Sequence, residues 1–309
     1  MHDGIKTKGI NDMEKDMHPT KNEFVALAAT SNLIPVYQEI LADMVTPISV
    51  FRNLANCPYC FFLESVEGGE RWGRYSFMGM DPMFTFRSNG TRTVIQSGDN
   101  TEEQVVEDPL RLLENRLAEY KPARLDGLPR FFGGAVGYMG YETVSFFEPI
   151  PDTLPDALGV PDTWFMVPRI VLIFDNLKHT IKIVVNVHVP SEAEPAKHYD
   201  EAKESINIIV DQLAQPVPML TKPGKAPAPV EIRNKIDPKK FESMVSKAKE
   251  YIRQGEIIQV VLSQGFEADT LAEPFDVYRA LRRINPSPYL FYLQFDGTSI
   301  LGSSPEVMV

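Results

Sequence analysis

Apolar positions along this chain follow two periods, and the change from one to the other marks out its elements. In "DPLRLLENRLAEY" they recur every three or four residues, which puts Leu110, Leu113, Leu117 and Tyr120 on one helical face. Asp108 is the expected N-cap there and Pro109 the first helical residue, where a missing N–H costs nothing. "HYDEAKESINIIVDQL" spaces Tyr199, Ala202, Ile206, Ile209 and Leu213 in the same way. "DPKKFESMVSKAKEYIRQG" repeats the Asp-Pro start at Asp237-Pro238 and stops at Gly255, a residue that tolerates the left-handed conformation ending many helices. A shorter helix is predicted in "EPFDVYRALRRI", with Val277, Leu281 and Ile284 inward.

Elsewhere the period is two. "RIVLIFD" and "TIKIVVNVHV" flank the short polar link Asn176 to His179 and predict an antiparallel hairpin. "PMFTFRS" and "RTVIQS" form a second pair around Asn89-Gly90, and "EIIQVVLSQGFEA" reads as β-rich throughout. Near the end, Phe291 to Phe295 alternate as a strand, Asp296-Gly297 supplies a hairpin turn that requires positive φ, and Thr298 to Gly302 return. The final strand is expected to have an unpaired edge, and the apolar segment Tyr289 to Phe295 to have lost partners. Hairpins mixed with helices, without regular strand–helix alternation, predict an α+β fold of mainly antiparallel sheets, a two-sheet β-sandwich core with packed helices. The Pro-rich stretch 214–232 follows neither period and reads as a linker. It separates an N-terminal region, 24–213, from a region beginning at 233 and running to 309; residues 1–23 read as a flexible leader.

Composition narrows the function. A net charge of −11 argues against nucleic-acid binding, which needs clustered Lys and Arg to neutralise phosphates. No apolar run approaches the length of a membrane span. The start, "MHDGIKTKGINDMEKDM", carries acids among its lysines and is unlike a signal or transit peptide, so the expected location is the cytoplasm. The two cysteines form Cys57-Pro58-Tyr59-Cys60, the spacing of a redox motif. However, "FFLESV" follows as a strand and supplies no helix N-terminus to lower a thiol pKa, so they read as two thiols ahead of a buried strand. The glycines of "FFGGAVGYMGYETV" lack phosphate-loop spacing, and Tyr138 and Tyr141 would crowd a phosphate; close backbone packing in a bent strand is the better reading.

Three stretches are unlike generic packing. In "FLESVEGGERWGRYSFMG" a strand delivers Glu64 and Ser65 side by side, ahead of acids and arginines interleaved with aromatics. In "GEIIQVVLSQGF", Gln259 falls within an apolar run and would be costly to bury without partners. In "NPSPYLFYL", followed by "GSSPE", two prolines restrict the backbone that presents Tyr289 and Leu290.

Together with "GGAVGYMGYE" and "PFDVYRALRRINPSPY", in this order, these stretches closely resemble component I of anthranilate synthase, the large, chorismate-binding subunit. The resemblance runs from "IPVYQEILADMVTPISVF" to the last residue. The related aminodeoxychorismate synthase component I shares fold and substrate. Glu64 in Leu63-Glu64-Ser65 and the "QVVLSQ" run are more similar to the anthranilate enzyme. Gly265 departs from the family, which often carries Arg there.

The resemblance implies a lyase of tryptophan biosynthesis. Ammonia from a glutamine amidotransferase subunit (component II) displaces the ring hydroxyl of chorismate with the help of Mg²⁺, and pyruvate is then eliminated. It implies that Gln259 and Glu306 belong to the chorismate pocket. It also implies that tryptophan, as feedback inhibitor, is held by Glu64, Ser65, Pro288, Tyr289 and Leu290. The family's Mg²⁺ carboxylates and its other catalytic residues are expected beyond Val309. The chain is therefore expected to be a fragment, inactive alone or serving only as a tryptophan-binding module.

Overall fold

The computed structural model describes residues 17–54, 57–65, 73–150, 156, 158–216 and 230–306. The chain forms two compact units, Met1–Val217 with Val277–Val309, and Pro218–Asp276. The leader expected at 1–23 and the linker at 214–232 fall largely outside the described residues.

The larger unit opens with helix α1 (Lys21–Leu27), strand β1 (Leu33–Leu41) and helix α2 (Pro47–Leu54). Strands β2 (Tyr59–Glu64), β3 (Tyr75–Asn89), β4 (Arg92–Ser97) and β5 (Asn100–Val105) follow, then helix α3 (Pro109–Ala118) and strand β6 (Val136–Met139). The hairpin β7 (Thr163–Asp175) and β8 (Thr180–His188) leads to the long helix α4 (Pro195–Leu213). Among the described residues these strands join β11 (Tyr289–Phe295) and β12 (Thr298–Ser304) in one sheet of order β1-β8-β7-β3-β2-β11-β12. Strand β4 sits on β3, β5 on β4 and β6 on β7, and every strand pairing is antiparallel. The α+β, antiparallel class read from the sequence is the class observed.

Strand β3 organises this sheet. It follows β7 along its length, while its other edge pairs first with β2 and then with β4. The handover falls at an irregularity between Pro82 and Phe84, beside Asp81 at φ 53°. Proline has no N–H to give a ladder, so a strand tolerates it where pairing is already interrupted. Three predicted hairpins form as expected. Asp175 faces Thr180 across β7–β8, Asn89 faces Arg92 across β3–β4, and Phe295 faces Thr298 across β11–β12 with Asp296 and Gly297 both at positive φ. The glycine-rich stretch packs closely: a Cβ on Gly137 would lie 2.0 Å from the Trp164 carbonyl oxygen of β7.

One expectation about the sheet is corrected. Tyr289–Phe295 lacks no edge partner, because β11 pairs with β2 on one side and β12 on the other. Its apolar residues satisfy both neighbours, and Leu290, Tyr292, Leu293 and Phe295 are buried.

Helices cover the sheet with the faces that their periods define. Helix α4 buries Tyr199, Ala202, Ile206 and Ile209 and packs against β1, β8, α1 and α2, while Leu213 at its end is half-buried. Phe24 of α1 meets Tyr199 edge-on, with ring centroids 5.5 Å apart. Helix α3, capped by Asp108 through the Arg111 amide, sets Leu113 into a cluster with Phe84, Phe86, Ile95 and Val167.

The smaller unit holds β9 (Ile232–Asn234), helix α5 (Pro238–Gln254) and β10 (Phe266–Ala268), the two strands pairing with each other. Asp237 caps α5 through the Lys239 and Lys240 amides, and Gly255 ends it at φ 77°, as predicted. The strand expected over "EIIQVVLSQGFEA" is corrected: only Phe266–Ala268 is strand, and Ile258 and Val261 are 97% and 84% exposed. A β-rich composition forms a strand only where a neighbour takes up its N–H and C=O groups. Among the described residues no strand pairs with 257–264.

Helix α6 (Pro274–Ile284) begins in the smaller unit and belongs to the larger from Val277 onward. Its predicted inward face is corrected as well. Val277 and Ile284 are 39% and 81% exposed, whereas Tyr278 is fully buried.

Candidate functional site

Strands β2 and β11 bring two of the three distinctive stretches together. They pair antiparallel, with Glu64 opposite Leu290, Phe62 opposite Tyr292 and Cys60 opposite Gln294. Residues facing one another across a ladder share a face of the sheet, so Glu64, Leu290, Phe62 and Tyr292 line one surface. Helices α2 and α6 supply its aromatic cover. Phe51 stacks on Phe62 at 5.2 Å, and Tyr278 meets Phe62 and Tyr292 edge-on at 5.7 and 6.0 Å.

The polar centre of this surface is Glu64, whose side chain is only 3% exposed. Its Oε1 accepts a hydrogen bond from the Tyr278 hydroxyl at 2.6 Å and one from Arg282 Nε at 2.6 Å. A carboxylate removed from water demands such partners, and a cationic one balances its charge. Burial, and then the negative charge of Glu64, push the Tyr278 phenol far above its ordinary range, so Tyr278 is a fixed donor rather than an acid. Tyr278 and Arg282 stand one helical turn apart on α6, the spacing that lets two side chains reach one point.

Of the residues assigned to tryptophan, Glu64 and Leu290 are therefore register partners. Ser65 follows the last residue of β2, Tyr289 opens β11, and Pro288 precedes Tyr289. Ser65, Pro288 and Tyr289 are half-buried, while Leu290 is 2% exposed. Much of the charged run after Ser65, residues 66–72, lies outside the described residues. Sequence reasoning missed Tyr278 and Arg282. The signal available was a Tyr and an Arg four residues apart on a helix of otherwise apolar inward positions.

The pair assigned to chorismate falls in different units, Gln259 in the smaller and Glu306 in the larger. Gln259 is exposed rather than buried in a strand. Glu306 is exposed just past β12, where its amide approaches Ser304 Oγ at 3.4 Å. Among the described residues, no three His, Cys, Asp or Glu side chains converge where they could hold a metal ion. No described helix is long and apolar enough to cross a membrane.

A family model described as chorismate binding enzyme matches residues 59–309, and the chain belongs to that family. Within it, the chain is 41% identical over 295 residues to anthranilate synthase component 1 of Acetivibrio thermocellus, covering 94% of this chain and 60% of that one. It is 40% identical over 296 residues to anthranilate synthase component 1 of Pseudomonas putida, covering 94% and 59%. Its fold is similar to the crystal structure of anthranilate synthase component I from Streptococcus pneumoniae TIGR4, with 30% identity, a TM-score of 0.62, and coverage of 86% of this chain and 57% of that one. The chain thus spans about 60% of the length of the curated relatives it matches.

Proposed function

We propose that these residues belong to the large subunit of an anthranilate synthase. It converts chorismate and ammonia to anthranilate and pyruvate in tryptophan biosynthesis, in the cytoplasm, with ammonia delivered by a glutamine amidotransferase partner. The observation that carries this reading is the 41% identity to anthranilate synthase component 1 across 94% of the chain. Chorismate is a dianion; the Mg²⁺ that the resemblance implies would neutralise carboxylate charge and polarise the leaving hydroxyl. Its ligands are proposed to lie outside these 309 residues.

Two residues here are proposed for the chorismate pocket, Gln259 and Glu306. A glutamine amide is no base near neutral pH and does not activate water, which suits a pocket that admits ammonia. The surface between β2 and β11 is proposed as the tryptophan inhibitor site. Ser65 and the Pro288–Tyr289 backbone offer polar partners, Leu290 and the aromatic cover offer an apolar wall, and Glu64 offers negative charge toward an ammonium. Arg282 and Tyr278 then hold the Glu64 carboxylate in place.

Two assays test this. The 309-residue chain alone, given chorismate, Mg²⁺ and ammonium, is expected to form no fluorescent anthranilate; turnover would overturn the division of the chemistry. A chimera that joins these residues to the remaining length of the Acetivibrio thermocellus relative is expected to form anthranilate in the presence of ammonium. An aminated but pyruvate-retaining product from that chimera would instead mark an aminodeoxychorismate synthase.

A further inference from the structure

The cysteine pair acquires a role once the fold is in view. Cys60 is the second residue of β2, fully buried, and held in the ladder opposite Met80 of β3 and Gln294 of β11. Cys57 sits three residues earlier, outside the strand, and is half-buried. Cys57 lines a surface cavity of about 390 Å³ with Met80, Asp81, Arg169, Ser205 and Ile209. The backbone between the two is anchored, because the Pro58 carbonyl accepts from the Asp296 amide at 2.8 Å. Cys57 Sγ donates to the Leu54 carbonyl oxygen at 3.8 Å, and the neighbouring Cys60 thiol holds Cys57 below the ordinary thiol range while Cys57 and burial push Cys60 above it. A cavity-lining thiol of lowered pKa, three residues ahead of a buried thiol, is the arrangement of an attacking and a resolving cysteine. No helix N-terminus is involved; the neighbouring S–H takes that part.

We propose that Cys57 and Cys60 form a thiol-oxidation site that takes small disulfides, Cys57 attacking and Cys60 closing an internal disulfide. The Cys57 thiolate attacks one sulfur of the small disulfide, whose S–S bond breaks as the first thiolate leaves with the electron pair. Cys60 then attacks Cys57 Sγ, its proton passing to the departing sulfur, and the second small thiol is expelled. The two protein thiols lose two electrons in all, and one small disulfide becomes two thiols. The closed bond ties the chain ahead of β2 to the strand whose far end carries Glu64.

The 309-residue chain is incubated in a buffer of oxidised over reduced glutathione, quenched with acid, and mapped by mass spectrometry without reduction. The peptide spanning Cys57 and Cys60 is expected to lose two hydrogens and carry no glutathione. Cys60→Ser, or Cys60→Val should the serine variant misfold, is expected to accumulate the glutathione adduct on Cys57, and Cys57→Ser to stay unmodified. In the folded chain Cys57 is expected to alkylate with iodoacetamide at least roughly tenfold faster than Cys60, a preference lost in urea. Accumulation of the glutathione adduct on wild-type Cys57, a pair that stays reduced, or equal alkylation rates in the folded chain would overturn the proposal.

Discussion

Glu64 Oε1 accepts hydrogen bonds from the Tyr278 hydroxyl and from Arg282 Nε, each at 2.6 Å. The three residues join strand β2 to helix α6 across more than two hundred positions of sequence, beside Leu290 on β11. A buried carboxylate so held is a rigid element rather than a mobile charge. Any ligand that uses the β2–β11 surface meets it already oriented.

Removing the phenol tests how much that rigidity contributes. Tyr278→Phe keeps the ring against Phe62 and Tyr292 and deletes only the hydrogen bond to a charged acceptor. It is expected to lower stability by roughly 1.5–3 kcal/mol. Urea unfolding followed by circular dichroism, with unchanged m, reads this as a shift in midpoint; a midpoint equal to wild type would mean that Arg282 alone satisfies Glu64.

The inhibitor assignment predicts two contrasting variants, both measured by calorimetric titration of tryptophan. Ser65→Arg is expected to abolish binding by filling the surface from its half-buried position. Leu290→Ala is expected to weaken binding by about 1–3 kcal/mol through lost apolar contact. Because Leu290 is 2% exposed, its truncation also lowers stability by roughly 2–5 kcal/mol, so titrations belong well below the unfolding transition. Undiminished binding by Ser65→Arg would remove the site from β2.

Acid stability depends on Asp175 at the β7–β8 turn. Burial works to raise its pKa, but Arg74, at 2.8 Å, and the Leu177 and Lys178 amides outweigh burial and hold the carboxyl below its ordinary range. A folded-state pKa below the unfolded one means that the unfolded chain binds the proton first. The stabilisation is therefore complete at neutral pH and is lost as pH falls from about 4 through the folded value. Asp175→Asn is expected to be less stable than wild type at pH 7, with the gap closing in acid; parallel curves of stability against pH would contradict this.

Gly137 in β6 is a backbone approach rather than a turn. A Cβ there would meet the Trp164 carbonyl oxygen at 2.0 Å and the Phe165 Cα at 2.7 Å, atoms fixed in β7. Gly137→Ala is expected to cost roughly 3 kcal/mol or more through overpacking. Gly98→Ala meets no atom within 4 Å but stands at φ +57°, and is expected to cost about 1–2 kcal/mol. Thermal midpoints of the two variants should fall in that order.

Local signals were legible wherever the deciding interaction lies within a few residues. The Asp108 and Asp237 caps, the left-handed Gly255, the Asp296-Gly297 turn and the buried face of α4 each depend on neighbours along the chain, so the sequence by itself determined them. Motif order likewise determined the family, with five stretches in register ahead of any coordinates. Pairing was a different matter. That "EIIQVVLSQGFEA" forms only a three-residue strand, and that β11 has partners on both edges, depends on which distant backbone comes alongside. Composition carries no record of that. The face of α6 was misread for the same reason, because a period that favours Val277 and Ile284 cannot anticipate a buried acid waiting on β2. Only the tertiary structure decided that Tyr278 turns inward, since burying its ring gains aromatic partners and its hydroxyl satisfies Glu64.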